Sequence, residues 1–294
     1  MLGKLIKHEW KNVNRVAGVL TLVVVIVTII GCIMLRLPAM TSLINGSGNM
    51  NEDAMVIWFL MGFISFMLYI FMLMGATYGL FIFLGVRFYR TMYTEQGYLT
   101  NTLPVTGHQL FISKIFVSGI WYLLLELVVV ISVFALMSAW FSGILSGELE
   151  AEGFSSMWDF WRTAFVEIGP MYEEIGLDWT GYLIAMVLAV LIAPFSSMTI
   201  LFGSVTIGQL SKKHKGVMGI LAYLGICFLN MIITSVVQVI SMVEASVDIM
   251  ADPYGDINMN LNGMMYSSLI MSLSMAVILY FVSHHILTKK LNMD

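Results

Sequence analysis

An all-α integral membrane fold is predicted by three features: six long apolar segments, sparse charge within them, and basic residues gathered on one side of them. The segments lie near 16–35, 54–86, 113–142, 180–210, 216–243 and 264–288. Each reaches the roughly 20 residues that a helix needs to cross a hydrocarbon core of about 30 Å. Of the 294 residues 59% are hydrophobic and only 11% charged, against about 25% charged in a soluble domain. Barrel strands are about 10 residues of alternating polarity. These segments are continuous, and helices satisfy their backbone groups within the segment, as lipid demands.

The first element, residues 1–15, has the pattern of an amphipathic interfacial helix. Leu2, Leu5, Ile6, Trp10 and Val13 share one face, and Lys4, Lys7, Lys11 and Arg15 the other, as in a helix lying in the headgroup layer. The first span follows; it is too long for a signal peptide, and no clear cleavage site follows it. Outer loop one, near 37–53, is short and polar. Spans two and three, counted to their polar ends, exceed 30 residues each, so their inner ends should project beyond the core. The large outer loop, 143–179, carries Phe154, Met157, Trp158, Trp161, Phe165 and Ile168 at helical spacing. That spacing predicts a helix on the outer surface or capping the spans. Trp58, Trp140 and Trp179 sit near outer interfaces, as an aromatic belt would. The whole chain, 1–294, reads as one transmembrane domain.

Charge sets the expected orientation. All basic residues except Arg36 and Arg162 fall on the side of the two termini. The positive-inside rule therefore predicts a multi-pass protein with both termini cytoplasmic. The other side is acidic, with Glu148, Glu150, Glu152, Glu173, Glu174 and Asp178 among its residues. Acidic residues are simply permitted there, although such a face also suits cationic solutes.

The connection between spans two and three, 87–109, is unlike a simple loop. It mixes Tyr89, Arg90, Tyr93, Glu95 and Tyr98 at high density. Gly97 can end a short helix near 88–96, Pro104 disfavours helix at Leu103, and Thr106 with Gln109 reads as a capping box opening span three. Two readings stay open from the residues alone: a protein-binding surface rich in aromatics and arginine, or a membrane-surface turn with arginines on lipid phosphate.

The run Gly97-Tyr98-Leu99 followed by Thr102-Leu103-Pro104 resembles the loop between the second and third spans of ATP-binding-cassette type-2 exporter permeases, Gram-positive bacterial ones in particular. The layout is similar over the whole chain, the local sequence only over about 87–114. The resemblance implies a permease subunit without a motor. Its coupling segment, with Tyr89 and Tyr93 as anchors and Arg90, Glu95, Gly97 and Tyr98 beside them, would dock into a separate ATPase subunit present in two copies. Lys212 and Lys213, in the turn Ser211–Gly216, match a second, smaller contact. ATP and Mg would be bound by that partner, and this chain would carry no cofactor and no metal. A second permease subunit, identical or homologous, would complete the complex in the plasma membrane. Nucleic acid is not among the expected partners. The cargo class expected is a peptide or hydrophobic compound, with a cationic peptide suiting the acidic outer face. No G-x-x-x-x-G-K-[ST] phosphate loop occurs in the chain, in keeping with an ATPase site elsewhere.

Glu126 is the carboxylate deepest in a span, 12 residues past Lys114 and so about 18 Å along the helix. An ionised group there costs on the order of 3 kcal/mol, so it should face a cavity or a partner such as Asn230. It is a transport-path candidate, and also the basis of a rival reading as an ion-coupled secondary transporter. A third reading is a peptide-binding membrane sensor or immunity protein using the large outer loop. Gly75 and Gly79 allow one close helix approach. Cys32, Cys227 and the 25 methionines read as packing residues. His284-His285 and Glu173-Glu174 fall on opposite expected sides, which excludes an intramembrane zinc protease built from them.

Overall fold

The computed structural model describes residues 2–35, 52–94, 106–144, 157–174, 179–251 and 261–289. Within them are seven helices and no strand: α1 (Leu2–Leu35), α2 (Glu52–Tyr93), α3 (Gly107–Ile144), α4 (Met157–Glu174), α5 (Trp179–Gly208), α6 (Lys215–Ala251) and α7 (Leu261–Lys289). Six of them, all but α4, are long and apolar enough to cross a membrane. The protein is an all-α, multi-pass membrane protein, and its helices follow the six apolar segments in order.

Three boundaries differ from expectation. The amphipathic stretch 1–15 is helical but runs into the first span as a single helix, α1. Its lysines are exposed, while Leu5, Ile6 and Trp10 are half-buried and Val13 fully so. Trp10 packs on Trp121 at 5.0 Å between ring centroids, so protein covers part of a face expected to meet lipid. The short helix expected near 88–96 is instead the last part of α2, which continues unbroken to Tyr93. Nothing in Val86-Arg87-Phe88-Tyr89-Arg90 breaks a helix; glycine and proline arrive only later. At 1.5 Å per residue the 42 residues of α2 measure roughly 63 Å along the axis, more than a bilayer with its headgroups, about 40–45 Å. Finally, α6 extends to Ala251, beyond the expected end of the fifth span at 243.

The chain divides into two compact units. The first comprises Met1–Val13, Ile82–Leu123 and Ile168–Asp294, the second Asn14–Phe81 and Leu124–Glu167. In the first, α5 packs on both α6 and α7. Its core holds Phe88, Phe111, Phe202, Met92 and Met198, each at most 2% exposed. In the second, Ala17, Val24, Leu80 and Leu125 are fully buried. Hydrogen bonds between its elements include Thr28 Oγ1 with the Tyr69 hydroxyl at 3.2 Å, and Trp161 Nε1 donating to Ser138 Oγ at 3.1 Å. The α4 helix confirms the helical spacing seen in the large loop. Trp158 and Phe165 are exposed, and Trp161 packs on Phe134.

Candidate functional site at the basic helix ends

Glu9 is the one acid among the basic residues of 1–15, and two cations of the first unit converge on it. Arg87 Nη2 donates to its Oε2 at 3.0 Å, and Lys114 Nζ donates to its Oε1 at 2.6 Å. Lys114 also donates to Thr91 Oγ1 at 2.8 Å. Thr91 in turn donates its proton to the Arg87 carbonyl at 2.9 Å. The clasp thus ties the start of α1, the end of α2 and the start of α3. The Lys114 side chain is only 4% exposed and that of Glu9 12%. Charges so placed need a partner, because each would otherwise be stranded away from water. The cavity beside them is about 10 Å³, room for one water at most. The clasp is therefore a tie between helices, with no space for a ligand.

One helical turn away the tie becomes aromatic. Phe88 stacks on Phe202 of α5, with centroids 4.1 Å apart and planes 8° from parallel. Phe111 and Tyr93 meet the edges of the same ring. The Tyr93 hydroxyl hydrogen-bonds Thr206 Oγ1 at 2.8 Å, and Thr206 donates to the Phe202 carbonyl. Gly85 meets Leu201 nearby; a Cβ there would stand 3.2 Å from that side chain. The end of α2 is thereby fixed to the end of α5.

The α5–α6 turn follows directly. Amides of Gln209, Leu210 and Ser211 donate to the carbonyls of Thr206, Ile207 and Gly208, closing the helix in tight turns. Ser211 Oγ donates to the Lys213 carbonyl at 2.8 Å. His214 lies in the left-handed region with φ of 54°, and its carbonyl accepts the Met218 amide to begin α6. The helices cross at a glycine pair. A Cβ on Gly208 would fall 2.4 Å from the backbone nitrogen of Gly219, so no side chain fits. Lys212, Lys213 and His214 are all exposed.

The residues expected to contact an ATPase therefore separate. Arg90, Lys212 and Lys213 are exposed on elements tied into one packed unit, and Tyr89 is half-buried with its ring 6.4 Å from that of Tyr93. Tyr93, expected as a surface anchor, is turned inward onto Thr206, because its ring completes the aromatic cluster. Glu95, Gly97 and Tyr98 lie outside the described residues, as do Leu103 and Pro104. Thr106 opens α3 as expected: its Oγ1 accepts the Gln109 amide at 3.4 Å. Glu126 is half-buried in the second unit, and Asn230 is half-buried in the first. Cys32 and Cys227 are half-buried. Among the described residues, no three His, Cys, Asp or Glu side chains gather as a metal site would require.

Glu9, Thr91, Phe88, Phe202 and Thr206 were not foreseen. The lone acid of the N-terminal helix was the available signal for Glu9; nothing local marks its partners, which are 78 and 105 residues away. Compared with models of protein families, with curated proteins and with solved structures, the chain matches none.

Proposed function

We propose that this protein is the membrane-spanning subunit of an ATP-driven exporter, worked by separate ATPase subunits gripping the basic ends of α2 and the α5–α6 turn. One observation carries the reading. Two exposed basic elements, Arg90 and the Lys212–Lys213 turn, belong to a single packed unit through the Phe88–Phe202 stack and the Tyr93–Thr206 hydrogen bond. A push on either is transmitted to α2 and α5 together instead of being absorbed in a loop. The Glu9 clasp extends the same block to α1 and α3.

The assembly proposed has two ATPase copies, which bind ATP and Mg, and a second permease subunit, identical or homologous. It sits in the plasma membrane with the termini and the coupling elements in the cytosol. The cargo is a peptide or a hydrophobic compound.

A photo-crosslinking residue at Arg90 tests this in the protein's own cells. The expected result is an adduct with a nucleotide-binding chain, lost when Lys212 and Lys213 are both changed to Glu while membrane insertion is kept. Crosslinks only to lipid, or labelling of Arg90 from outside the cell, would overturn the reading. Transport that follows a proton gradient without ATP, and stops in Glu126→Gln, would replace it with the secondary carrier.

A further inference from the structure

The first unit contains an apolar groove of about 500 Å³ between α3, α5 and α7, within the usual 300–1,000 Å³ of small-ligand sites. Ile115, Phe116, Phe195, Ala276 and Val277 are among the apolar residues of its wall. The Thr199 hydroxyl in the wall donates to the Phe195 carbonyl of its own helix at 2.8 Å, so it presents no polar demand. The open side is bounded by Phe116, Val277 and Phe281, which are 44%, 50% and 64% exposed. On a spanning helix such an opening faces hydrocarbon.

The groove has a polar end. Tyr280 lines it, and its hydroxyl is hydrogen-bonded to His108 Nδ1. His108 is exposed at the first turn of α3, where a helix start favours negative charge. The edge of the His284 ring meets His108 with centroids 5.6 Å apart. Depth along the helices agrees with this polarity. Phe281 lies eight residues before the end of α7 and Leu273 sixteen, so the groove runs from about 12 to about 24 Å from that end. The imidazoles stand nearer the end than the groove does. Polar groups toward the helix ends and hydrocarbon walls toward mid-membrane match one phospholipid of the adjoining leaflet, head outward and chain inward. A hydroxyl–imidazole pair at a helix start complements an anionic head.

We infer that the groove is a binding site for an anionic phospholipid, one acyl chain between α3, α5 and α7 and the phosphate against His108 and Tyr280. The inference does not depend on an ATPase partner and is tested without one. Protein in nanodiscs of equal phosphatidylglycerol and phosphatidylcholine is extracted into detergent, and retained lipids are counted by native mass spectrometry.

Wild type should retain phosphatidylglycerol in preference. Val277→Trp fills the groove from its open edge and should remove most of that lipid. Ile278→Trp, at 57% somewhat more exposed than Val277 but outside the lining, should not. His108→Ala should lower the preference for phosphatidylglycerol about three- to tenfold, the effect of one hydrogen bond. Equal retention by the two tryptophan variants overturns the groove. Equal retention of the two lipids by wild type overturns the headgroup assignment, and a hydrophobic small molecule displacing phosphatidylcholine and phosphatidylglycerol alike would mark the groove as a cargo site instead.

Discussion

The two units of this protein are held together by different means. The first contains a three-charge clasp, a stack of aromatic rings, a cross-helix tyrosine hydroxyl and a glycine crossing with backbone against backbone. Among the described residues of the second, Thr28 hydrogen-bonds Tyr69 and Trp161 donates to Ser138 between elements, beside contacts of apolar side chains. In lipid, apolar side chains gain little from leaving one hydrocarbon environment for another, so helix association rests on close packing and interhelical hydrogen bonds. Ties of these kinds fix helices in one register, so the ends joined by the clasp and the stack move together. The clasp and the aromatic stack of the first unit therefore suit transmission of force between the helix ends they join.

The contrast can be broken by substitution. Removing the carboxylate in Glu9→Ala leaves Lys114, 4% exposed, without its counter-ion. A loss of about 3–5 kcal/mol is expected, read as a large fall in Tm in detergent. Combining Glu9→Ala with Lys114→Met should recover much of this, because the stranded charge is gone. Additive losses in the double variant would show that the clasp is not the tie described.

Glycines give the next largest difference. Gly208→Ala forces Cβ against the Gly219 backbone at 2.4 Å and should cost about 2–3 kcal/mol, an overpacking penalty with no side chain free to yield. Gly31→Ala in the second unit meets only Leu136 Cδ1 at 2.9 Å. That methyl can rotate aside, and alanine improves helix propensity by up to about 1 kcal/mol, so thermal stability should change little. Equal effects at the two sites would remove the distinction between the units.

The smallest effects concern single hydrogen bonds. Tyr93→Phe loses the bond to Thr206 and should cost about 1 kcal/mol; on the proposed function it also weakens the coupling of ATP use to transport. Trp161→Phe loses the bond to Ser138 and should cost at most about 1 kcal/mol. Its effect on coupling should be slight. A Trp161→Phe variant that uncouples transport while Tyr93→Phe does not would overturn the role given to the Tyr93–Thr206 bond.

Much of the architecture was legible because its cause is local. Uninterrupted apolar runs must form helices in lipid, and α5 and α7 begin and end within about three residues of the expected spans. Thr106 was readable as a cap because a helix start needs a side-chain acceptor at that position. The inward turn of Tyr93 was not legible, for the opposite reason. Its neighbours Tyr89 and Arg90 suggested a surface, while the residue that draws it inward, Thr206, is 113 positions away. Lys114 read only as one more positive charge setting orientation. Its burial beside Glu9 is a property of the packed unit.

The amino-acid order by itself determined that this is an all-α, multi-pass membrane protein and the order in which its six apolar segments follow one another. Hydrophobic length and charge are additive along a chain and need no knowledge of neighbours. Only the tertiary structure decided which charges are buried, which aromatic rings join α2 to α5, and where a groove opens between α3, α5 and α7. Those depend on side chains from distant segments meeting at ångström distances, and the period of a helix does not record its partners.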